Sequence, residues 1–151
     1  CIRDSINGVN SRLDEINSKI LNFKLSKIES LISKRRKIAK FYNDQLCKTK
    51  LLLPKLNKDK FDVFHLYTVY HKKRDLIMKK LLEEKIQTRI IYPFPVHKMK
   101  GYSNFFKNDI HKISEIKSKG IFSLPLYPEL SLKDQKTICK KLKKILISID
   151  S

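Results

Sequence analysis

Glycine, cysteine and tryptophan are scarce in this chain of 151 residues. Its three glycines are too few for the glycine-rich loops that cradle nucleotide phosphates. Its three cysteines, Cys1, Cys47 and Cys139, lie far apart without Cys-x-x-Cys or Cys/His spacing, which predicts reduced thiols and no metal site. No apolar run approaches the roughly 20 residues that span a bilayer, and no signal-peptide pattern opens the chain. We therefore expect a cytoplasmic protein, and the start at Cys1 instead of Met predicts a piece of a longer one.

Positive charge is abundant, with 34 Lys and Arg against 15 Asp and Glu and a formal net charge of +19. Such a charge favours an acidic partner, for example nucleic acid or an anionic membrane surface. The lysines are however spread along the chain, without an Arg/Gly tract or an aromatic-basic stacking motif. A solvated, lysine-rich surface is the simpler interpretation, so we predict no nucleic-acid and no membrane partner. A basic binding module remains the alternative function.

A long amphipathic helix is predicted over residues 13–46, where apolar side chains recur every three or four positions. Ser11 with Asp14 three residues later is the capping-box pattern of a helix start. A helix of this length, straight or kinked, is long enough to bridge two bodies or to pack against another subunit.

The start of this helix is a candidate anion site. Free backbone amides at a helix start attract anions, and Asn10 and Arg12 add two further donors that suit a phosphate. The alternative is purely structural, with Ser11 as the cap and Arg12 solvated.

The rest of the chain predicts an α/β fold. Segments rich in β-branched and aromatic residues alternate with segments of helical periodicity. The predicted order is a strand over 61–70, a helix over 73–85, a strand over 87–92, a proline-fixed loop over 92–97, a helix over 110–119, an extended segment over 122–128, and a final helix from Ser131, capped through Asp134, to about Ile149. Leu132, Ile138, Leu142, Ile145 and Ile149 are its predicted buried stripe. We expect residues 1–50 to form a loop and the long helix, and residues 51–151 a small α/β domain.

His97 is the histidine best placed for binding a ligand. It ends the loop 92–97, in which Pro93 and Pro95 restrict the backbone and Tyr92 adds a polar tip. A purely structural proline loop is the alternative. The other histidines predict no site, because His65 lies between apolar neighbours, as in a core, and His71 and His111 lie in polar stretches typical of a surface.

Six short motifs follow one another along the chain. They are Gly8-x-Asn10-Ser11-Arg12-Leu13-Asp14-Glu15-Ile16, Lys34-Arg35-Arg36-Lys37-Ile38-Ala39-x-Phe41-Tyr42, His65-Leu66-Tyr67, Arg74-Asp75, Tyr92-Pro93-x-Pro95-x-His97 and Ser123-Leu124-Pro125-x-Tyr127-Pro128. In this order they resemble the DegT/DnrJ/StrS family of sugar aminotransferases. The resemblance covers nearly the whole chain.

The resemblance implies the C-terminal part of a type I, pyridoxal-phosphate-dependent aminotransferase, with a small antiparallel sheet flanked by helices. Such enzymes move an amino group from glutamate (or glutamine) to a keto-sugar nucleotide in the synthesis of deoxyamino sugars for cell-surface polysaccharides or glycosides. They are homodimers, in which Asn10 and Arg12 would reach the cofactor phosphate of the neighbouring subunit. Tyr92 and His97 would line the sugar side of the pocket.

Departures from the family pattern limit what the resemblance implies. Ile91 stands where the family has His and Met99 where it has Gln, so the substrate contacts are expected to differ in detail. Polar Asn17-Ser18-Lys19 replaces the family's Gln-Ala-Ala. The Schiff-base lysine and the aspartate that pairs with the pyridine nitrogen lie N-terminal to the first motif in the family and are expected to be absent here. The chain by itself is then expected to have no catalytic residue and no activity, as a fragment or as a degenerate, non-catalytic remnant.

Overall fold

The computed structural model of the chain describes residues 13–56, 59–102, 105–106 and 111–150. Five α-helices and two strands occur within these ranges: α1 (Glu15–Leu25), α2 (Ile28–Leu46), β1 (Tyr67–Tyr70), α3 (Arg74–Glu83), α4 (Lys112–Ser118), β2 (Ile121–Leu124) and α5 (Leu132–Asp150). Contacts divide the chain into a first unit of Cys1–Ile28 with Tyr92–Lys119 and a second unit of Glu29–Ile91 with Gly120–Ser151. The predicted arrangement of a helical part over residues 1–50 and a domain over 51–151 stays a prediction.

The second unit is built on a two-stranded antiparallel sheet. β1 and β2 pair with Tyr67 opposite Leu124 and Tyr70 opposite Ile121. Single bridges extend the sheet on both sides, from Leu52 to Tyr70 and from Arg89 to Ser123. Side chains alternate along β1, so Tyr67 and Val69 are buried while their neighbours are half-buried, as expected for a strand packed on one face. The predicted class, α/β with a small antiparallel sheet and flanking helices, is confirmed.

Apolar stripes of α2, α3 and α5 supply most of the remaining core of the second unit. The buried apolar residues of these helices are Ile38, Ala39, Tyr42 and Leu46 on α2, Ile77 and Leu81 on α3, and Ile138, Cys139, Leu142, Ile145, Leu146 and Ile149 on α5. Their spacing of three or four residues is the helical period that the sequence predicts. No helix among the described residues is long and apolar enough to cross a membrane.

The start of α5 confirms the predicted cap. The backbone N–H of Asp134 donates to Ser131 Oγ over 3.1 Å, and the Ser131 hydroxyl donates to Asp134 Oδ2 over 2.6 Å. The prediction that Leu132 belongs to the buried stripe is wrong, because this side chain is 54% exposed. It is the first residue of the helix and lies before the face that packs against the core.

The predicted long helix is interrupted. α1 ends at Leu25 and α2 begins at Ile28. The Ser26 hydroxyl donates to the carbonyl oxygen of Phe23 over 2.7 Å, and the N–H of Lys27 bonds three residues back, to Lys24, over 3.1 Å. The three-residue bond of Lys27 replaces the regular four-residue bond of an α-helix, and α1 ends there.

The start of α1 also differs from the prediction. Asp14 is the N-cap residue, since its carboxylate accepts hydrogen bonds from the backbone N–H and the side-chain amide of Asn17, over 2.7 and 2.6 Å. Ser11, the predicted cap, lies outside the described residues. No residue of α1 is buried.

Two predicted strands are shorter than expected. The segment predicted over 61–70 is a strand only from Tyr67, because Phe64 has a positive φ of 49° that interrupts the extended run. The segment predicted over 87–92 contributes only the bridge from Arg89 to Ser123. The helices predicted over 73–85 and 110–119 are confirmed, as Arg74–Glu83 and Lys112–Ser118.

Candidate functional site

The proline loop places His97 in a tight turn of the first unit. Pro95 has φ −66° and ψ 153°, the extended backbone that precedes a short 3₁₀ turn over Val96–Lys98. The turn is closed by hydrogen bonds from Lys98 N to Pro95 O, over 2.9 Å, and from Met99 N to Val96 O, over 3.0 Å. His97 is buried within this turn. A buried histidine needs a polar partner, since an unpaired polar group away from water is costly.

Glu115 on α4 is that partner. His97 Nε2 lies 3.0 Å from Glu115 Oε1, and the His97 side chain is only 6% exposed. Lys98 Nζ lies 3.6 Å from the same oxygen. The hydrogen bond from His97 lowers the pKa of Glu115 below its ordinary value, and the positive charge of Lys98 acts in the same direction. Glu115 is therefore a carboxylate at neutral pH.

His111 lies against the other member of the pair. The His111 and His97 rings are 4.7 Å apart between centroids and inclined at 59°. The predicted surface position of His111 is confirmed by its exposure, yet its ring contacts the buried histidine. His97, His111, Glu115 and Lys98 thus form one polar cluster, here named the His97 cluster.

Tyr92, the second predicted substrate contact, is half exposed at the start of the same loop. Phe94 and Val96 are exposed to a similar degree, so an apolar surface lies beside the turn. No hydrogen bond or ring contact joins Tyr92 to His97 among the described residues. The two side chains share a loop and a unit, and their contact with one ligand stays a prediction.

Two predictions about histidines are wrong. His65, expected in the core, is exposed, because it follows the positive φ of Phe64 and lies outside β1. His71, expected on the surface, is buried. Its backbone N–H donates to Gly120 O over 3.0 Å and its Nδ1 accepts from Lys73 N over 3.1 Å, so it is fixed beside the start of β2.

Asn10 and Arg12, the predicted cofactor-phosphate contacts, lie outside the described residues, and their role stays a prediction. Glu115 was not among the predicted site residues. It lies in a lysine-rich segment 18 residues after His97, and no local pattern singles it out. Within the ranges that the structure describes, no group of three His, Cys, Asp or Glu side chains could hold a metal ion.

Comparison with known proteins finds one matching family and several similar proteins. A model of the DegT/DnrJ/EryC1/StrS aminotransferase family matches residues 2–143. The dTDP-3-amino-3,6-dideoxy-alpha-D-galactopyranose transaminase of Aneurinibacillus thermoaerophilus is 40% identical over 124 residues, which are 82% of this chain and 34% of that protein. The dTDP-3-amino-3,4,6-trideoxy-alpha-D-glucose transaminase of Micromonospora megalomicea subsp. nigra is 33% identical over 148 residues, which are 94% of this chain and 40% of that protein.

A solved structure of a similar protein shares the fold of this chain. NtdA from Bacillus subtilis, solved with bound cofactor PMP, superposes with a TM-score of 0.82 at 27% identity, over 94% of this chain and 34% of that one. The chain thus spans between about a third and two fifths of the length of the relatives it matches.

Proposed function

Because this chain belongs to the DegT/DnrJ/EryC1/StrS aminotransferase family, we propose that it is the C-terminal part of an enzyme that transfers an amino group from glutamate to a keto-sugar nucleotide. The family match over residues 2–143 carries the proposal. The proposed reaction belongs to the synthesis of deoxyamino sugars, and the two curated relatives described above are named as dTDP-linked amino-sugar transaminases.

His97 and Tyr92 are the proposed contacts to the sugar. His97 is held rigidly by two prolines, a 3₁₀ turn and a hydrogen bond to Glu115, so its imidazole is preorganised and loses little entropy when it binds a ligand. Tyr92 presents a phenol at the exposed end of the same loop. A rigid imidazole and an exposed phenol suit the hydroxyl groups of a sugar ring, which both donate and accept hydrogen bonds.

Pyridoxal phosphate, when bound, supplies the electron sink through which an amino group passes between donor and acceptor. The described lysines do not fit its aldehyde end. Each of them is at least partly exposed, and none of them lies in the kind of desolvated pocket that makes a lysine amine nucleophilic at neutral pH. We therefore assign the Schiff-base lysine to the part of the family's length that this chain does not cover, and expect the chain to be inactive by itself.

Asn10 and Arg12 are proposed to bind the cofactor phosphate of a neighbouring subunit in a homodimer. A guanidinium pairs with phosphate through two parallel hydrogen bonds, and an amide adds a neutral donor. Support for a subunit interface nearby comes from α1, on which Ile16 and Phe23 are 74% and 63% exposed. Apolar residues so exposed on a helix without any buried side chain indicate a surface that is covered in the assembled protein. A cytoplasmic location belongs to the same proposal.

The proposal is tested by an aminotransferase assay on two proteins. The complete enzyme, in which the chain is joined to the rest of the family's length, should convert glutamate and a dTDP-linked keto sugar to 2-oxoglutarate and an amino sugar. The 151-residue chain assayed with the same cofactor should form neither product. Activity of the short chain would overturn the assignment of the lysine, and a complete enzyme inactive on every keto-sugar nucleotide would overturn the proposed reaction.

Two substitutions in the complete enzyme separate the proposed roles. Arg12→Ala should weaken cofactor binding by about 10- to 150-fold, since a hydrogen bond to a charged group contributes about 1.5–3 kcal/mol. Lys79→Ala, which removes an exposed cation from α3, is the control and should retain cofactor. His97→Ala should raise KM for the sugar nucleotide and leave the visible absorption of bound cofactor unchanged, and His65→Ala is its matched control. Unchanged cofactor affinity in Arg12→Ala would refute the phosphate contact.

A further inference from the structure

The contact between His97 and Glu115 bears on which nitrogen of His97 carries a proton. A carboxylate only accepts hydrogen bonds, so with Glu115 ionised the 3.0 Å contact requires a proton on His97 Nε2. In the neutral imidazole the other nitrogen, Nδ1, is then an acceptor. An isolated imidazole exchanges between both tautomers, and a hydrogen bond to one nitrogen selects one of them.

Nδ1 is the nitrogen of His97 left for a ligand. No described residue forms a hydrogen bond with it, and no buried side-chain nitrogen or oxygen in the described part of the chain lacks a partner. A nitrogen that is neither bonded nor fully buried is open to solvent. The hydrogen bond of Nε2 to Glu115 fixes the plane of the ring, and Nδ1 accepts a hydrogen bond in that plane.

The surroundings favour an ionised Glu115. Lys98 Nζ lies 3.6 Å from Glu115 Oε1 and keeps the carboxylate charged. The His111 ring packs on the His97 ring with 4.7 Å between centroids, and it leaves the hydrogen bond of His97 Nε2 to Glu115 in place. The Glu115 side chain is 35% exposed, so water still solvates the carboxylate from one side. The cluster thus holds a negative charge at a fixed place beside the ring.

We infer that Glu115 is a positioning residue for His97, which it holds as the Nε2–H tautomer so that Nδ1 accepts a hydrogen bond from a hydroxyl group of the sugar nucleotide. The identity of the ligand rests on the proposed function, whereas the tautomer of His97 is inferred from the structure alone. Glu115 itself does not contact the substrate in this scheme.

The tautomer is tested by NMR on the 151-residue chain labelled with ¹⁵N-histidine, at a pH of about 8.5, where an ordinary imidazole is neutral. The His97 signals are identified by their loss in His97→Asn. The wild type should show His97 with a protonated Nε2, and Glu115→Gln should show a mixture, because an amide can both donate and accept. Glu83→Gln, an equal change of charge at an exposed residue at the end of α3, is the control. A protonated Nδ1 in the wild type, or an unchanged pattern in Glu115→Gln, would overturn the inference.

The consequence for binding is measured in the complete enzyme. Glu115→Gln should raise KM for the sugar nucleotide by about 2- to 10-fold, which is the loss of affinity expected when one ordinary hydrogen bond is weakened. The kcat and the KM for the amino donor should stay unchanged. A KM that changes in His97→Asn but not in Glu115→Gln would overturn this inference while the proposed function stands. If His97→Asn leaves KM unchanged, the sugar contact proposed for His97 is wrong, whichever tautomer the NMR shows.

Discussion

Tyr42 connects α2 to the segment after β2, and its hydroxyl gives a sharp test of the packing. The side chain is fully buried, its Oη donates to Pro125 O over 2.8 Å, and its ring lies 5.0 Å from that of Tyr67 at an inclination of 56°. Tyr42→Phe removes the hydrogen bond and keeps the ring contact. Pro125 is only half-buried, so water can partly replace the lost donor. We therefore expect a loss of about 0.5–1.5 kcal/mol in the free energy of unfolding near pH 8.

The pH dependence of this loss is more specific than its size. Burial raises the pKa of Tyr42 far above the value of about 10 that a tyrosine has in the unfolded chain. Above pH 10 the unfolded tyrosine loses its proton and the folded one keeps it, so the wild type loses stability as the pH rises. At pH 11 this loss is about 1.4 kcal/mol for one tyrosine with an unfolded pKa of 10. Phenylalanine cannot ionise, so the advantage of the wild type should disappear at about pH 11.

The assay is equilibrium urea denaturation of the 151-residue chain at pH 8 and pH 11. Residues far from Tyr42 are the same in both proteins, so their contributions cancel in the difference. Tyr127→Phe is the matched control, because Tyr127 is 47% exposed and should change stability by less than about 0.5 kcal/mol at either pH. If the difference between wild type and Tyr42→Phe is the same at both pH values, the hydroxyl is not shielded from water and the reasoning fails.

Two further predictions concern other parts of the second unit. Gly120→Ala should destabilise the chain by about 1–3 kcal/mol in the same denaturation assay. A Cβ at this position would lie 2.6 Å from Tyr70 Cδ2 and 2.8 Å from His71 O. A variant as stable as the wild type would contradict the close packing. In a Cys1→Ser background, a thiol reagent should label exposed Cys47 at least about 100-fold faster than Cys139, whose pKa is raised to about 11 by burial, and equal rates would show that Cys139 is reached by solvent.

Features set by neighbouring residues could be predicted from the sequence. The cap of α5 needs only Ser131 and Asp134, three residues apart, and four of the five residues predicted for its buried stripe follow from the helical period. The end of α1 at Leu25 could not be predicted in this way, because serine is tolerated within helices, and the break is shown only by the hydrogen bond of Lys27 N to Lys24 O, three residues back. Local patterns therefore give the helices and leave their breaks undetermined.

The short strand β1 shows the limit for extended segments. Phe61 to Tyr70 has the composition of one strand, and nothing in it predicts the positive φ of Phe64, which is uncommon for a bulky side chain. Arg35 holds that turn from α2, through hydrogen bonds of its Nη1 to Phe64 O and His65 O over 3.4 and 3.2 Å. The exposed position of His65 thus depends on a residue 30 positions earlier in the chain. A strand prediction based on composition contains no information about such a contact.

In the candidate site, too, one feature follows from neighbouring residues and another depends on a distant one. Prolines restrict their own backbone, so a rigid loop ending at His97 could be predicted from six consecutive residues. The partner of His97 could not be predicted, because any acidic residue brought near by the fold would satisfy the imidazole, and Glu115 lies 18 residues away on α4. Sequence reasoning identified the ligand-binding candidate and missed the residue that orients it.

The large net charge is a weaker guide to function than the proline-fixed loop over residues 92–97. Of the charged and polar residues buried in the described part of the chain, none is a lysine or an arginine, so the described cations lie in or near solvent, where salt screens them. A screened surface charge attracts every anion alike and selects no substrate. The His97 cluster has few charges, but its imidazole is buried, bonded and fixed in orientation. Selectivity for a sugar hydroxyl requires that fixed geometry, and for this reason the sugar contact is proposed for the loop and not for the cations behind the charge of +19.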